Sequence, residues 1–236
     1  MGSRTDAIRH RYNRIARLYN LLEAPMEGLF ASERRYLASM CHGKVLEVGV
    51  GTGKNLPFYP ADAEVTAVDF SADMLAGAHR RLESLPNRRI ELLEMDVQAL
   101  HFPDDSFDCA LSTCVFCSVP APVQGLRELR RVVKPGGQIF MLEHVRSEHP
   151  PLGWLMDRLN PLPLHVYGAN INRRTVENLR TAGFEHIEVK DLRLDVLKRI
   201  VVTNVKDERN LVGHDHSGAS TPTSRQAAIH NEPNVD

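Results

Sequence analysis

Tryptophan and cysteine are scarce in this sequence, with one and four residues respectively. The cysteines are Cys41, Cys109, Cys114 and Cys117, and only the last two form a C-x-x-C. No second pair stands at zinc spacing, which argues against a structural zinc site. Four thiols in a chain of this length need no disulfide framework, so a reduced, cytoplasmic setting is the simplest reading. Excess charge is also missing. The formal net charge is -1, and no overall field draws the chain to nucleic acid. No apolar run approaches the roughly 20 residues of a membrane span. The opening "MGSRTDAIRHRYNR" lacks the apolar centre of a secretory signal, and Asp6 stands where a myristoylation motif has Ser or Thr. There is no internal repeat.

What is present reads as one globular domain: 236 residues, 42% hydrophobic and 25% charged. Residues 5–40 are helical by period, with Ile8, Tyr12, Ile15 and Tyr19 at three- and four-residue steps. Arg4, Arg9, Arg11, Arg14 and Arg17 lie among them, with only Asp6 opposing before Glu23, either a solvated face or an attachment to an anionic bilayer. Strand-like and helix-like segments then alternate. "KVLEVGV" is a strand, residues 53–58 begin a short helix, and "AEVTAVDF" is a second strand. "SADMLAGAHRRLESL" is a helix with Ser71 as N-cap. "RIELLEMDV" and "SFDCALSTCV" are strands, and "PVQGLRELRRVV" is a helix. "GQIFMLEHV" is a fifth strand, entered through a Pro135-Gly136-Gly137 turn. Alternation of this kind predicts a parallel sheet covered by helices on both faces. A helix "TVENLRTAGF" stopped by Gly183 and two closely spaced strands, a hairpin at the sheet edge, complete the pattern. Residues 206–236 are polar and aperiodic and read as a disordered tail.

The stretch "KVLEVGVGTGKNLPFY" concentrates glycine behind an apolar strand. A P-loop would need glycine at 48 and Ser or Thr at 55, where Val48 and Asn55 stand. The dinucleotide fingerprint would need glycine at 54, where Lys54 stands. What remains is Glu47-x-Gly49-x-Gly51-x-Gly53, a turn at which a ligand can touch backbone because no Cβ intervenes. Asp69 ends the second strand, where open α/β sheets place an acceptor for ribose hydroxyls. Asp96 ends the third and can accept an exocyclic amino hydrogen of adenine. Acids without an arginine cluster suit a nucleoside carrying a cationic centre rather than a pyrophosphate.

This set resembles the class I S-adenosylmethionine (SAM)-dependent methyltransferases, over about residues 10–205. "VLEVGVGTG", "VTAVDFSADML", "MDVQALHFPDDSFDCAL" and "LRELRRVVKPGGQIFMLEH" are similar to their successive motifs, in order and spacing. Within that superfamily, "YNRIARLYN" and "STCVFCSVP" look most like the ubiquinone/menaquinone methyltransferases and the related bacterial phospholipid N-methyltransferases. The resemblance implies a Rossmann-like α/β fold with a seven-stranded sheet in order 3-2-1-4-5-7-6, strand seven antiparallel. It implies a helical cap over residues 1–40, a SAM-binding domain over 41–205 and a substrate lid over about 146–175. It implies that Gly49, Gly51 and Gly53 line the methionine side of SAM with support from Glu47. Asp69 would hold the ribose, Met74 pack on the adenine, Asp96 and Val97 bind it, and Thr113 face the methionine part. Tyr12 and Tyr19 would close over the cofactor.

Such chemistry needs no metal and no covalent nucleophile, since the sulfonium supplies the reactivity. An amine acceptor would want a nearby group to take its proton, with Tyr19 ahead of Tyr12. A ring carbon or hydroxyl would want a base, with His144 or His165 as candidates. Cys114 and Cys117 stand where this fold places its active site, but read as ordinary small hydrophobes ahead of catalytic thiols. The stretch 150–175 is strongly apolar, with Trp154 and Tyr167 among its residues, and Arg173 and Arg174 follow. Either it packs on the sheet, with Asn172 capping the next helix, or it covers an apolar acceptor tail with the arginines near an anionic head. The expected acceptor is amphipathic, the amine of phosphatidylethanolamine ahead of a quinol ring carbon or a small oxygen, nitrogen or sulfur acceptor. A catalytically inactive SAM-binding sensor is the non-enzymatic alternative. A site on the inner face of an anionic membrane would suit the lipid acceptor.

Overall fold

The computed structural model describes residues 2–86, 88–166 and 168–206, with side chains described for all of these except 2–4, 15–26, 29 and 166. The expected tail beyond Lys206, and Tyr167, lie outside the described residues. Helix α1 (Gly2–Met40) leads into β1 (Lys44–Val48), and a single 3-10 turn, Leu56–Phe58, precedes β2 (Glu64–Asp69). Then follow α2 (Ala72–Leu82), β3 (Arg89–Glu94), β4 (Phe107–Thr113), α3 (Pro122–Val132) and β5 (Val133–His144). The last part holds α4 (Pro150–Leu159), α5 (Pro161–Val166), α6 (Thr175–Thr181), β6 (His186–Arg193) and β7 (Leu197–Thr203).

The strands form one seven-stranded sheet in the order β3-β2-β1-β4-β5-β7-β6. Pairings from β3 through β5 are parallel, and β7 runs antiparallel to both β5 and β6. The central strands are apolar on both faces because both are covered: β4 is buried at every position but one. One face packs Leu126 and Leu129 of α3 and Leu179 of α6. The other packs Leu37 of α1 with Leu75 and Ala78 of α2. Ser71 caps α2 as its sequence implies, its Oγ accepting from Met74 N at 3.2 Å.

Two local expectations are corrected. The fifth strand begins at Val133, not after Pro135-Gly136-Gly137. Val133 already pairs with Phe107, and Asn204 exchanges backbone hydrogen bonds with Gly136 and Gly137, so the irregular stretch is stitched into the ladder. Asn172 does not cap a helix: α6 starts at Thr175 behind Arg174, and Asn172 Nδ2 instead donates to Asp157 Oδ1 at 3.1 Å. The parallel order brings the carboxyl ends of β1, β2, β3 and β4 to one edge, where a ligand site is expected in a fold of this type.

Candidate active site

A cleft enclosing about 690 Å³ of non-atom space, open to solvent, lies at those strand ends. Its lining includes Gly49, Gly51, Asp69, Met74, Asp96, Val97 and Thr113, together with Tyr12 reaching over from α1. The glycine turn is shaped by what it must avoid. A Cβ on Gly49 would stand 2.3 Å from Val115 Cγ2, whereas a Cβ on Gly51 would meet nothing within 4 Å and would project into open space. Both residues have positive φ, at 66° and 55°.

Asp69 is buried. Its Oδ2 accepts from Gly51 N and its Oδ1 from Ser71 N, each at 2.9 Å. Burial pushes its carboxyl up to about 6, against the lowering effect of those amides. Asp96 is oriented by Gln98, whose backbone N and Nε2 both donate to it. Gln98 in turn accepts from Ala121 N at 2.8 Å, tying the end of β3 to the start of α3. Cys114 also lines the cleft, held at φ 57°, an unusual conformation for a side chain with a Cβ.

Glu47 and Gly53 stand behind the cleft wall rather than in it. A Cβ on Gly53 would meet Leu56 Cδ1 at 2.8 Å and Ala78 Cα at 3.2 Å, so this glycine lets the turn pack on α2. Glu47 is fully enclosed, accepts from Asn55 Nδ2 at 2.8 Å and Tyr59 OH at 2.7 Å, and is pushed up to about 7 by burial. Arg34 completes this network from α1. Its guanidinium is buried and donates to Thr113 Oγ1 at 2.7 Å and to Asn55 Oδ1 at 3.4 Å. The long helix is therefore anchored to the cleft floor by a charged residue that the sequence pattern did not single out.

Tyr12 closes the opposite side. Its hydroxyl is hydrogen-bonded to Ser118 Oγ and its ring meets Phe70 edge-on at 5.8 Å. Asn13 Oδ1 accepts from Ser71 Oγ at 2.6 Å, and Gln98 Nε2 reaches Thr5 Oγ1 at 3.4 Å. Tyr19 lies on α1, but its side chain is outside the described residues. His144 is not among the cleft-lining residues: it sits half-buried on β5 opposite Leu197 of β7, and burial lowers its pKa. His165 is exposed on α5, and Trp154 is 65% exposed on α4. Arg173 acts as a clamp, donating to the backbone carbonyls of Cys117 and Val119, while Arg174 pairs with Glu177 at 2.8 Å. Both arginines border a smaller polar cavity that also includes Arg146 and Lys198.

The residues that sequence reading missed are Gln98, Ser118, Arg34 and Glu143. Glu143, fully buried on β5, accepts at Oε1 from Ser112 Oγ at 3.0 Å, Val115 N at 3.2 Å and Phe116 N at 3.4 Å. It fixes the loop after β4 that walls the cleft, and burial pushes it up to about 7. An acid inside an apolar strand was its one visible signal.

A seven-stranded sheet in this order, a glycine turn after β1 and aspartates at the ends of β2 and β3 define the class I methyltransferase architecture. Residues 46–141 match the family described as a methyltransferase domain. Residues 46–141 therefore carry a methyltransferase domain, with S-adenosyl-L-methionine as its cofactor, and the chain spans about half the length of the first relative below. It is 40% identical over 111 residues to a phosphatidylethanolamine N-methyltransferase of Cereibacter sphaeroides, covering 47% of this chain and 55% of that one. It is 29% identical over 185 residues to a thiol S-methyltransferase of Rattus norvegicus, covering 74% of this chain and 73% of that one. Among solved structures, a SAM-dependent methyltransferase of Thermotoga maritima, described as a possible histamine N-methyltransferase, aligns with a TM-score of 0.63 at 23% identity. That alignment covers 84% of this chain and 99% of the other.

The cleft fits this cofactor on its own terms. It offers a buried acceptor pair at Asp69, a second carboxylate at Asp96, an apolar bed at Met74 and Val97, and room above Gly51. Among the described residues no arginine or lysine lines it, which suits a cationic sulfonium.

Proposed function

We propose that the protein methylates the amine of an ethanolamine phospholipid, at an anionic membrane surface. Bound S-adenosyl-L-methionine supplies an electrophilic methyl group on a sulfonium. In this reading Asp69 accepts the ribose hydroxyls, Asp96 and the backbone at Val97 hold the adenine, Met74 packs against it, and Thr113 stands at the methionine end, fixed by Arg34 and Asn55. Tyr12 covers the cofactor and keeps water out.

The observation that carries the acceptor class is the chemistry of the cleft wall. Its hydrogen-bonding groups outside the two aspartates are neutral: Tyr12, Ser118, Thr113, Thr5 and Gln98, with the thiol of Cys114. Among the described residues no histidine lines it, and both His144 and His165 stand elsewhere. A ring carbon or alcohol needs a base to remove its proton in the transition state. A neutral amine attacks through its own lone pair, and a hydroxyl or carbonyl need only accept a hydrogen bond from the resulting ammonium, whose proton leaves to solvent. Among described side chains, the Tyr12 hydroxyl, a cleft-lining group, is the candidate for that hydrogen bond. The phosphatidylethanolamine N-methyltransferase relative supports the same choice. The thiol S-methyltransferase relative, which aligns over more of both chains, supports a second reading, since a thiolate also attacks without a base.

The test is incubation with methyl-labelled SAM and a total lipid extract, in parallel with a quinol and a panel of aliphatic thiols. Label in phosphatidylethanolamine and its N-methyl products is the expected result. Label confined to thiols would replace the lipid acceptor with a small sulfur acceptor.

A further inference from the structure

The α4–α5 segment, two helices separated by Asn160 alone, presents an apolar face that nothing in the described residues covers. Trp154 is 65% exposed, Leu155 43%, Leu159 49% and Leu162 69%. They stand at i, i+1, i+5 and i+8, with exposed Arg158 among them, so they share one side of two nearly continuous helices. The other side is buried at Gly153 and Met156. The segment is held firmly. Asn160 Oδ1 accepts from Ile171 N at 2.8 Å, and Asn170 N and Nδ2 both donate to Cys117 O. Arg11 of α1 donates to Leu164 O at 2.9 Å, and Ile8 is the nearest neighbour of Gly168. The segment is thereby tied to α1 and to the loop that carries Ser118 and Val119, two residues of the cleft lining.

We infer that this face docks onto an anionic bilayer, with Trp154, Leu155, Leu159 and Leu162 entering the headgroup region. Charge argues for that occupant. Residues 150–166 hold one acid, Asp157, and it is taken up by Arg146 Nε and Nη2 and by Asn172. The exposed charge left on this segment is Arg158, and Arg14 is exposed on α1, in whose first twenty residues Asp6 is the single acid. Just before α4, exposed Glu148 lies 3.9 Å from Lys198. A convex helical face of leucine and tryptophan edged by arginine matches the amphipathic zone of a bilayer, where tryptophan concentrates and each nearby cation adds attraction to anionic lipid. None of the described helices is long and apolar enough to cross a membrane, so the attachment is peripheral. This inference rests on the membrane half of the proposed function and not on the acceptor.

Trp154 is the chain's only tryptophan, so its emission reports this face alone. The experiment titrates the full chain, with SAM present, against vesicles of phosphatidylglycerol and phosphatidylcholine, with and without brominated acyl chains, at low and high salt. The expected result is a blue-shifted emission and bromine quenching with phosphatidylglycerol at low salt, at least tenfold weaker in phosphatidylcholine or at high salt. A triple variant, Leu155→Gln, Leu159→Gln and Leu162→Gln, keeps the reporter and should lose at least tenfold in vesicle affinity, with melting temperature and SAM affinity unchanged. Three results would overturn the inference: no emission change with anionic vesicles at low salt, full binding by the triple variant, or a blue shift that follows protein concentration without vesicles. The last would mean self-association through this face. The acceptor is read separately by label transfer, so a vesicle-bound protein that leaves phosphatidylethanolamine unlabelled would sink the acceptor and spare the docking surface.

Discussion

The two halves of this molecule bury their polar and apolar groups in opposite ways. Around the cofactor cleft, charged groups are sunk into the protein and each is tied by hydrogen bonds: Asp69 to two backbone amides, Glu47 to Asn55 and Tyr59, Arg34 to Thr113. In the segment of α4 and α5, large apolar side chains are left in water while its single acid is neutralised by Arg146. Each arrangement costs free energy in isolation, since buried charge loses hydration and exposed apolar surface orders water. The first is offset within the protein, by pre-placed donors that shape a cleft for a polar cofactor. The second is offset only when something outside the protein covers it. The comparison separates a region whose charged groups are hydrogen-bonded within the protein from one whose apolar groups are left uncovered by the described residues.

The largest effect should come from Gly51→Val. A β-branched side chain at φ 55° is strained, and it would fill the open space above the turn. SAM affinity, measured by calorimetry, should fall by about 100-fold or more, roughly 3 kcal/mol, while circular dichroism shows a folded protein. Unchanged affinity would mean that the cleft is not where the cofactor binds.

Asp69→Asn should weaken SAM by about 1.5–3 kcal/mol, the range for hydrogen bonds to a charged group. The pH dependence sharpens this. The carboxyl sits at about 6 in the empty fold, above its ordinary value of 3.8, because burial disfavours the charge. Its ionisation therefore weakens the empty fold as pH rises from about 4 to about 6, and the effect is constant above that. Ribose binding favours the ionised form, so SAM affinity should decline as pH falls below about 6. Affinity titrations that show the same decline in Asp69→Asn would assign the proton elsewhere, with Glu94 the nearest acid contributing to the shift.

Arg34→Leu should act on stability more than on affinity. Losing a buried donor leaves Thr113 and Asn55 short of one hydrogen bond each, at about 1–3 kcal/mol in urea unfolding. A neutral outcome would show that α1 is not anchored through this residue.

Trp154→Ala should be the smallest, within about 0.5 kcal/mol in the same assay, because the side chain is exposed. A loss of several kcal/mol would mean that the segment belongs to the core, and the contrast between the two halves would collapse.

Legibility followed the same division. Alternating strands and helices, the glycine turn and Ser71 as a cap were readable because each is a local consequence of spacing and side-chain type. Asp69 and Asp96 were readable because strand ends mark their positions in any sheet of this order. Arg34 was not, since a single arginine in a basic helix carries no sign that it will be buried beside Thr113, 79 residues away. Gln98 and Ser118 look like loop residues until Asp96 and Tyr12 are brought against them. His144 and His165 were reasonable candidates by residue type, but pleat and helix face turned them away from the cleft wall.

The sequence by itself determined the order of the elements, the glycine turn after β1 and the acids at the ends of β2 and β3, because those follow from neighbours along the chain. Only the tertiary structure decided which wall residues face the cleft, that Glu47 and Gly53 support it from behind, and that the apolar stretch after β5 lies outward. Those outcomes depend on contacts between segments far apart in sequence. Whether a leucine at position 155 or 162 is covered is set by what packs against its helix, and periodicity alone gives the face without naming the neighbour.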